Sequence, residues 1–594
     1  MPKEQKHHFI PRFILRKFAP ADQPPASPAA RSKQRPRGRD FLVNKVDLKT
    51  SILTQRPVST EFALVDMYRD PGFDENPYHL EEKLSQLEGK ASEIISKAAE
   101  TFARTPVLEL DRPEVDTLRK FLFLMKYRNG GMFERYNHDD AQAYDSDDRP
   151  RMLRYMAAKG FTKPRDVWFD NLRHMLDLKM DAQKTWRQTL RKQIYPDDAM
   201  MFELHLLHSY MAFCQPANVN EEFLLTENAF GIFEGPSTVN HDIFTGKKEA
   251  AAYMEYHNFA PMSPRLIIIL RSLILPIPGD KGNHAELRRS FAAAMKSVHL
   301  HPDKAGSVLE DLPIRPCKTA YKSENVDSTA SFSVDDRFIF LCFKLSSVHI
   351  SIINNLFIEE AYQTSSIVYH SATALRAAIE KYFTDDTPGL KHVIDNTGFA
   401  DIINIPEDKR LVYLRTLEKI LCDLGASTTC KFKSFGLRDA RFRIHMALNV
   451  GHLVGEQILS TQHPPKSLPR EYTLLKPKST LEEFWYDLDQ GSRLVMLKTK
   501  LDGALNRSGS SDGEKATVRF QIHEFLMAFP VERLWFYFKI LRNLKHCDKD
   551  DIWTRMPALE LAGPEDWLLE VIADLPPKMR ETSGRKMYMV MMTL

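Results

Sequence analysis

The chain contains 594 residues, of which 43% are hydrophobic and 27% are charged. These values are close to those of ordinary globular domains, so they exclude a chain that is disordered throughout, a collagen and a coiled-coil rod. The net charge of +3 excludes an electrostatic field over the whole molecule that would hold nucleic acid or a membrane. At roughly 150 residues per domain, this length predicts more than one folded unit.

Most of the positive excess lies in the first 39 residues. They carry ten Lys or Arg and two acidic residues, a net of +8, which leaves the remainder of the chain at −5. Residues 20–40 are rich in Pro, Ala, Ser and Arg and lack large apolar side chains. Because such a segment cannot offset its ordering entropy by burial, we predict a disordered or exposed loop.

Five basic residues alternate through this predicted loop, namely Arg31, Lys33, Arg35, Arg37 and Arg39. The pattern is typical of a nuclear-localisation signal or a weak nucleic-acid contact. It is also typical of a solvated insertion that its charge keeps soluble. We favour the solvated insertion and keep the nucleic-acid contact as the alternative.

The cysteines and the apolar segments bear on the compartment. The six cysteines include no CxxC pair and no dense cluster of the kind found in secreted scaffolds. No long apolar run precedes a small-residue cleavage site, and the strongest apolar stretch, 266–275, is interrupted by Arg271. We therefore expect an intracellular protein, cytoplasmic or nuclear, with no secretory signal, transmembrane segment or membrane partner.

The periodicity of apolar residues predicts an α+β fold that is predominantly α-helical. Residues 7–18 alternate imperfectly and are predicted to be β-like or extended at first, with Pro11 at an edge position or a bend. Asp111 and Pro113 mark a helix start, as N-cap and first-turn residue. The predicted helices are 79–105, 111–136, 164–193, 197–214, 348–364, 371–383, 409–424 and 439–459, and the predicted strands are 223–233, 264–275, 338–343 and 366–369.

These elements suggest how the chain is organised. We expect an α+β module over residues 1–385, in which helices surround a small mixed sheet built from strands near residues 9, 225, 268 and 340. A helical extension at 386–460 should follow, then a linker at 461–480 that is rich in Pro and Lys. A helical region over 481–594 completes the prediction.

The opening segment, HHFIPRFILRKFA, combines a His pair, two apolar residues, Pro, Arg, an aromatic residue and a Leu-Arg-x-Phe motif. It resembles the signature of DUF 4238, a family of unknown function found mainly in fungi and bacteria. Further similar segments follow in the same order: LEEKLSQLEGKA with Glu82 and Glu88, FLFLMKYR ending at Arg128, LLTENAFG with Glu227 and Asn228, SPRLIII, and a last block that ends at Tyr369. The resemblance covers about residues 7–370 and implies a family without an established activity.

One of these segments departs from the form of many bacterial members. Where they have Ser-Asp-Asn-Pro, this chain has Thr226, Glu227, Asn228 and Ala229. If the motif forms a site, Glu in place of Asp lengthens the carboxylate arm there.

The His pair His7 and His8 suggests the sharpest chemical hypothesis. A His pair followed by two apolar residues and Pro is similar to the first strand of HNH-type nucleases, in which one imidazole activates water and a neighbour binds a divalent ion. Such a fold also needs an Asn and a further His on a compact unit within about thirty to fifty residues. Here the segment 20–40 intervenes and the next histidine is His79, so the spacing is poor. The alternative is that one histidine packs beneath the strand while the other faces water.

A second hypothesis concerns polar residues in the segments that resemble the family. Buried carboxylates and arginines must be paired, so they form either an ion-pair network or a polar site. The full candidate cluster consists of His7, His8, Arg12, Glu88, Arg128, Glu227 and Asn228. We expect a pocket that brings several of them together, or else a network that organises the fold.

Two classes of function follow. The first is an intracellular binding or interaction protein, and the alternative is a metal-assisted, nuclease-like hydrolase that uses His7 or His8. No Walker loop and no dinucleotide-type glycine pattern follows a predicted strand, which argues against ATP and NAD. The sequence assigns no cofactor and no metal.

Overall fold

The structure is a computed structural model. It describes residues 4–20, 40–436 and 480, apart from residues 74, 145, 147, 242–247, 276, 279–305, 321–332, 386–390 and 396–407. The predicted basic loop, apart from its two end residues, falls outside these ranges. So do most of the predicted helical extension, all but the last residue of the predicted linker, and the predicted C-terminal helical region.

The chain divides into two compact units. Unit 1 comprises residues 1–391 and 408–432, and unit 2 comprises residues 392–407 and 433–594. In unit 2 the described elements are two short parallel strands, His392–Asp395 and Lys433–Gly436. The other described elements belong to unit 1.

The helices of unit 1 are α1 (Arg12–Lys17), α2 (His79–Phe102), α3 (Arg112–Tyr127), α4 (Gly130–Tyr136), α5 (Arg149–Lys159), α6 (Pro164–Asp177), α7 (Trp186–Gln193), α8 (Pro196–Leu207), α9 (Ser347–Glu360), α10 (Ala372–Thr384) and α11 (Lys409–Asp423). Among them, none combines the length and the apolar character needed to cross a bilayer.

The strands of unit 1 are β1 (Lys6–His8), β2 (Leu42–Asp47), β3 (Ile52–Pro57), β4 (Ala63–Val65), β5 (Val107–Asp111), β6 (Ser209–Pro216), β7 (Leu225–Thr226), β8 (Phe233–Glu234), β9 (Ser237–His241), β10 (Lys248–Tyr253), β11 (His257–Ser263), β12 (Leu266–Ser272), β13 (Lys318–Ala320), β14 (Arg337–Leu345) and β15 (Ser366–Tyr369). The α+β class is therefore confirmed.

The largest sheet has seven strands in the order β13-β14-β6-β12-β11-β8, with β5 also paired to β14. Its pairs are antiparallel except for β14 and β6, which run parallel. A second sheet has the order β3-β2-β15-β7, and two further antiparallel pairs join β1 to β4 and β9 to β10. Helices α2, α3 and α6 pack together and share one core with the large sheet, in which Leu84, Phe123, Trp168 and Phe213 are buried.

The prediction of one small sheet is wrong. The strands near residues 9, 225, 268 and 340 lie in three different sheets. Strand β7 pairs with β15, and β1 pairs with β4, whereas β12 and β14 both belong to the large sheet. Periodicity in the sequence shows where strands occur, but the choice of partner is made by tertiary packing.

Two predicted elements have another conformation. Residues 12–17 belong to the segment predicted to be extended at first, but they form α1. Pro11 has the φ of −58° that suits a helix start, and Ile14 and Leu15 are buried. Residues 209–214, predicted as the end of a helix, belong to β6. This strand is central and mostly buried on both faces, so it shows no alternation that would distinguish it from a buried helix.

Two long predicted helices are each divided. The helix over 111–136 ends at Tyr127 and resumes at Gly130 after Arg128 and Asn129. The helix over 164–193 ends at Asp177, and the Asp181 carboxylate binds backbone N–H groups where α7 begins. The helices predicted from residues 79, 348, 371 and 409 are confirmed, as are the strands within 264–275, 338–343 and 366–369.

Candidate functional site

His7 is held within a stack of aromatic rings. Its imidazole is 1% exposed, lies against the ring of Tyr68 at 5.5 Å between centroids, and meets the edge of Tyr78. Its Nδ1 accepts a hydrogen bond of 2.9 Å from the backbone N–H of Tyr68. This bond fixes the proton of the neutral ring on Nε2, where no hydrogen-bond partner lies within the described residues. Burial lowers the pKa of His7, against the opposing charge of Asp66.

His8 points in another direction and is only half-buried. Its Nε2 lies 3.2 Å from the carbonyl oxygen of Val58, so Nε2–H donates and Nδ1 keeps its lone pair. Burial lowers the pKa of His8, and Arg12 and Arg128 lower it further, whereas the bond to Val58 and the charge of Asp40 raise it. His8 is therefore a neutral imidazole with one free basic nitrogen, within electrostatic reach of Arg128.

Arg128 and Glu88 form the ion pair that the sequence only suggested. Glu88 lies on α2 and Arg128 caps the C-terminus of α3, and the two helices pack side by side. Nη1 of Arg128 is 2.7 Å from Oε1 of Glu88. Burial alone would lower the pKa of Arg128, but Tyr68, Glu88 and Glu81 outweigh it and raise the pKa.

Two residues that the sequence analysis did not select complete this group. Burial, together with the charge of Glu88, raises the pKa of Glu81 to about 7, whereas the charge of Arg128 lowers it. Burial also raises the pKa of Tyr68, which lies beside Arg128. We call His8, Tyr68, Glu81, Glu88 and Arg128 the Arg128 cluster.

Helix geometry could have indicated Glu81. Glu81 and Glu88 are seven residues apart, which is two turns, so they share one face of α2. Glu82 was noted in the sequence but is exposed. No comparable signal exists for Tyr68, because the turn that brings it to Arg128 follows β4 and has no helical or strand period.

The other predicted site residues make separate contacts. Arg12 is partly exposed and lies 3.6 Å from Asp40. The Glu227 carboxylate accepts hydrogen bonds from the backbone N–H and the hydroxyl of Ser365. The Asn228 side-chain NH₂ donates to the carbonyl of Glu360. Glu227 and Asn228 thus tie β7 to the chain between α9 and β15.

Metal binding requires several ligands that converge. Within the described part of the chain, no three His, Cys, Asp or Glu side chains are grouped as metal ligands would be. The Arg128 cluster can instead hold and exchange a proton. Arg128 compensates one carboxylate, so the second, Glu81, is near half-protonation at neutral pH.

A cleft opens at the beginning of α3, with a volume of about 740 Å³. We call it the α3 cleft. Its walls are the first turns of α3, the segment 178–183 and the turn at Ser333. Arg112 fixes the last wall, because its Nε donates to the Ser333 carbonyl at 2.7 Å and its Nη2 pairs with the buried Asp336.

The α3 cleft carries charges of both signs. Asp116 and Lys120 lie one helical turn apart on α3. Burial raises the pKa of Asp116 to about 6, although Arg112 and Arg119 lower it. Burial lowers the pKa of Lys120 to about 8, although Asp177 raises it, and Nζ donates to the carbonyls of Leu176 and Leu178. Burial therefore shifts both pKa values from their ordinary ranges, and such shifts are common at functional sites.

The fold and these sites define an α+β protein whose N-terminal His pair is built into a buried aromatic and ionic cluster. The chain belongs to the family described as "Protein of unknown function (DUF4238)", whose model matches residues 6–373. The match includes His7, the Arg128 cluster and the α3 cleft. No curated protein and no solved structure matches the chain.

Proposed function

We propose that this chain is a binding protein and that the α3 cleft takes up a small polar molecule carrying an amino group. One observation carries the proposal. Asp116 is a largely desolvated carboxylate on the cleft wall, and no hydrogen bond or ion pair from the described residues holds it. A protonated amine would supply the charge-assisted partner that the carboxylate lacks.

The size of the α3 cleft supports this proposal. Its volume of about 740 Å³ falls within the range of roughly 300–1,000 Å³ that is usual for small-molecule sites. A small ligand in this open cleft would be partly shielded from water, which strengthens an ion pair relative to one in bulk water.

The lysines of the α3 cleft favour a ligand that also carries a negative charge. Lys120 uses two of its three N–H donors on backbone carbonyls, and Lys179 adds an exposed ammonium at the cleft rim. A ligand with a carboxylate as well as an amine would match both signs of charge. We therefore infer a zwitterion of the amino-acid type.

The metal-assisted hydrolase has no comparable support. The Nδ1 atom of His7 accepts from the Tyr68 backbone, and Nε2 of His8 is directed at the Val58 carbonyl. The basic residues from Arg31 to Arg39 lie outside the described residues, so the nucleic-acid contact stays a prediction.

The test is isothermal titration calorimetry on the full chain with three probes of similar size: glycine as zwitterion, ethanolamine as cation and acetate as anion. We expect heat with glycine, less with ethanolamine and none with acetate. Asp116→Asn should abolish the response to glycine, because the amine loses its counter-charge.

The control variant is Asp139→Asn. Asp139 is an exposed acid that lies 3.7 Å from Lys163, and it does not line the α3 cleft. It should bind glycine as the wild type does. Equal responses to all three probes, or an unchanged response in Asp116→Asn, would contradict the proposal.

A further inference from the structure

Three side chains, two at the start of α9 and one on an earlier segment, form a series of contacts that the proposed binding function does not use. Oγ of Ser346 lies 3.1 Å from Nδ1 of His349, and Nε2 of the same imidazole lies 3.2 Å from Oδ1 of Asp311. Hydroxyl, imidazole and carboxylate thus stand in line, each within reach of the next. This is the order of groups that activates a serine nucleophile.

Two of the three side chains are positioned by the helix itself. Ser346 is the N-cap of α9, and its Oγ accepts from the backbone N–H of His349. Because residues three apart lie on one face of a helix, the imidazole of His349 stands next to Oγ. The imidazole is nearly buried, whereas Ser346 is exposed and open to a substrate.

The third side chain is positioned by the packing of its neighbours. Asp311 lies between Leu309 and Leu312, both fully buried. The buried Arg271 donates to the carbonyls of Leu309 and Glu310 on the same segment. The backbone that carries Asp311 is therefore anchored, although its carboxylate faces solvent.

These contacts specify where the protons lie. The Asp311 carboxylate, 3.2 Å from Nε2 of His349, favours the tautomer that carries its proton on Nε2, which leaves Nδ1 as the acceptor for the Ser346 hydroxyl proton. We propose that Ser346 is a nucleophile, with His349 as its general base and Asp311 as the positioning residue, in a site that hydrolyses small esters.

The reaction balances with water as the only co-reactant. Oγ of Ser346 bonds to the ester carbonyl carbon and gives its proton to Nδ1 of His349. The tetrahedral intermediate then expels the alcohol, which takes that proton and leaves the acyl group on Oγ. Water attacks the acyl-serine by the same relay, releasing the carboxylic acid and restoring the hydroxyl.

The helix also offers stabilisation for the oxyanion. Ser347 and Val348 are the first residues of α9, and the first N–H groups of an α-helix have no acceptor within the helix. We assign these N–H groups to the oxyanion that forms on the carbon attacked by Oγ, where negative charge develops. Val348 is 65% exposed and provides an apolar surface for a short acyl chain.

The test on the full chain combines a fluorophosphonate probe, which labels activated serines, with hydrolysis of p-nitrophenyl acetate. We expect Ser346→Ala to lose labelling and to hydrolyse at the buffer rate. Ser347→Ala is the matched control, an exposed serine one residue away, and it should keep both signals. His349→Ala should lower hydrolysis by about 100-fold, as loss of a general base does.

Ser346→Asn separates catalysis from helix capping, because Asn is a good N-cap without a nucleophilic hydroxyl. It should be as inactive as Ser346→Ala while retaining the wild-type unfolding midpoint. Asp311→Asn should lower kcat by about tenfold at unchanged KM. Asp311→Glu should keep most of the wild-type kcat, since its carboxylate still orients the base. Absence of labelling in the wild type, or labelling that persists in Ser346→Ala, would overturn the proposal.

Discussion

Nη1 of Arg128 lies 2.7 Å from Oε1 of Glu88 and joins the end of α3 to the middle of α2. The two ends of this pair differ in burial, with the Arg128 side chain 1% exposed and that of Glu88 24% exposed. The arginine has therefore lost nearly all of its hydration, and its nearest carboxylate must offset that loss.

Glu88→Gln should destabilise the protein because it leaves the buried Arg128 without its full counter-charge. Removing one partner of a buried pair costs about 3 kcal/mol, and the partial exposure of Glu88 places the effect at or below this value. Urea unfolding measures it. Glu82→Gln, on an exposed position of the same helix, should change the free energy of unfolding by less than about 0.5 kcal/mol. Equal losses in the two variants would show that Glu88 does not compensate Arg128.

Glu81 should make stability depend on pH. Its pKa is raised to about 7 in the folded protein, chiefly by burial, so the folded state retains a proton that the unfolded state releases near pH 4.5. The stability from this group is therefore fully present below about pH 4.5 and is lost as pH rises through 7.

Glu81→Gln should remove that loss. A change of one pKa unit corresponds to about 1.4 kcal/mol, and this energy is reduced here because Glu81 is partly exposed to solvent. The variant should therefore be more stable than the wild type by about 2 kcal/mol at pH 8 and by almost nothing at pH 4. Urea unfolding at a series of pH values measures the difference. If that difference is the same at both pH values, the pKa of Glu81 is not raised.

The two adjacent histidines should respond very differently to substitution. His7→Ala removes a ring packed between Tyr68 and Tyr78 and leaves the Tyr68 backbone N–H unpaired, so it should cost about 3 kcal/mol. His8→Ala loses one hydrogen bond from a half-buried ring and should cost about 1 kcal/mol. Thermal unfolding at matched pH distinguishes them. A larger loss for His8 would reverse the structural assignment of the pair.

Local periodicity explains why so many elements could be predicted. Helix α2 has apolar residues at spacings of three and four, and Asp111 caps α3 through a reciprocal bond with Glu114. Such signals depend only on nearby residues. By contrast, β6 has no alternation because both of its faces are mostly buried, and β2 and β7 each find their shared partner β15 far along the chain.

The candidate site follows the same rule. Glu88 and Arg128 could be selected because both lie in predicted helices within the segments that resemble the family. Tyr68 could not, because it reaches Arg128 through a turn. Ser346 and His349 have a visible helical spacing, but Asp311 joins them only through the packing of Leu309 and Leu312.

Asp116→Asn should stabilise the unliganded protein, which would separate a binding role from a structural one. The pKa of Asp116 is raised to about 6 by burial, so its favourable contribution is present below about pH 4 and is lost as pH rises through 6. Above pH 7 the Asn variant should exceed the wild type by about 1 to 2 kcal/mol. Glycine at saturating concentration should narrow this gap, because its amine stabilises only the charged wild-type carboxylate. Urea unfolding at pH 7.5 with and without glycine makes the measurement, and a less stable Asn variant would mean that Asp116 is held by the fold and not reserved for a ligand.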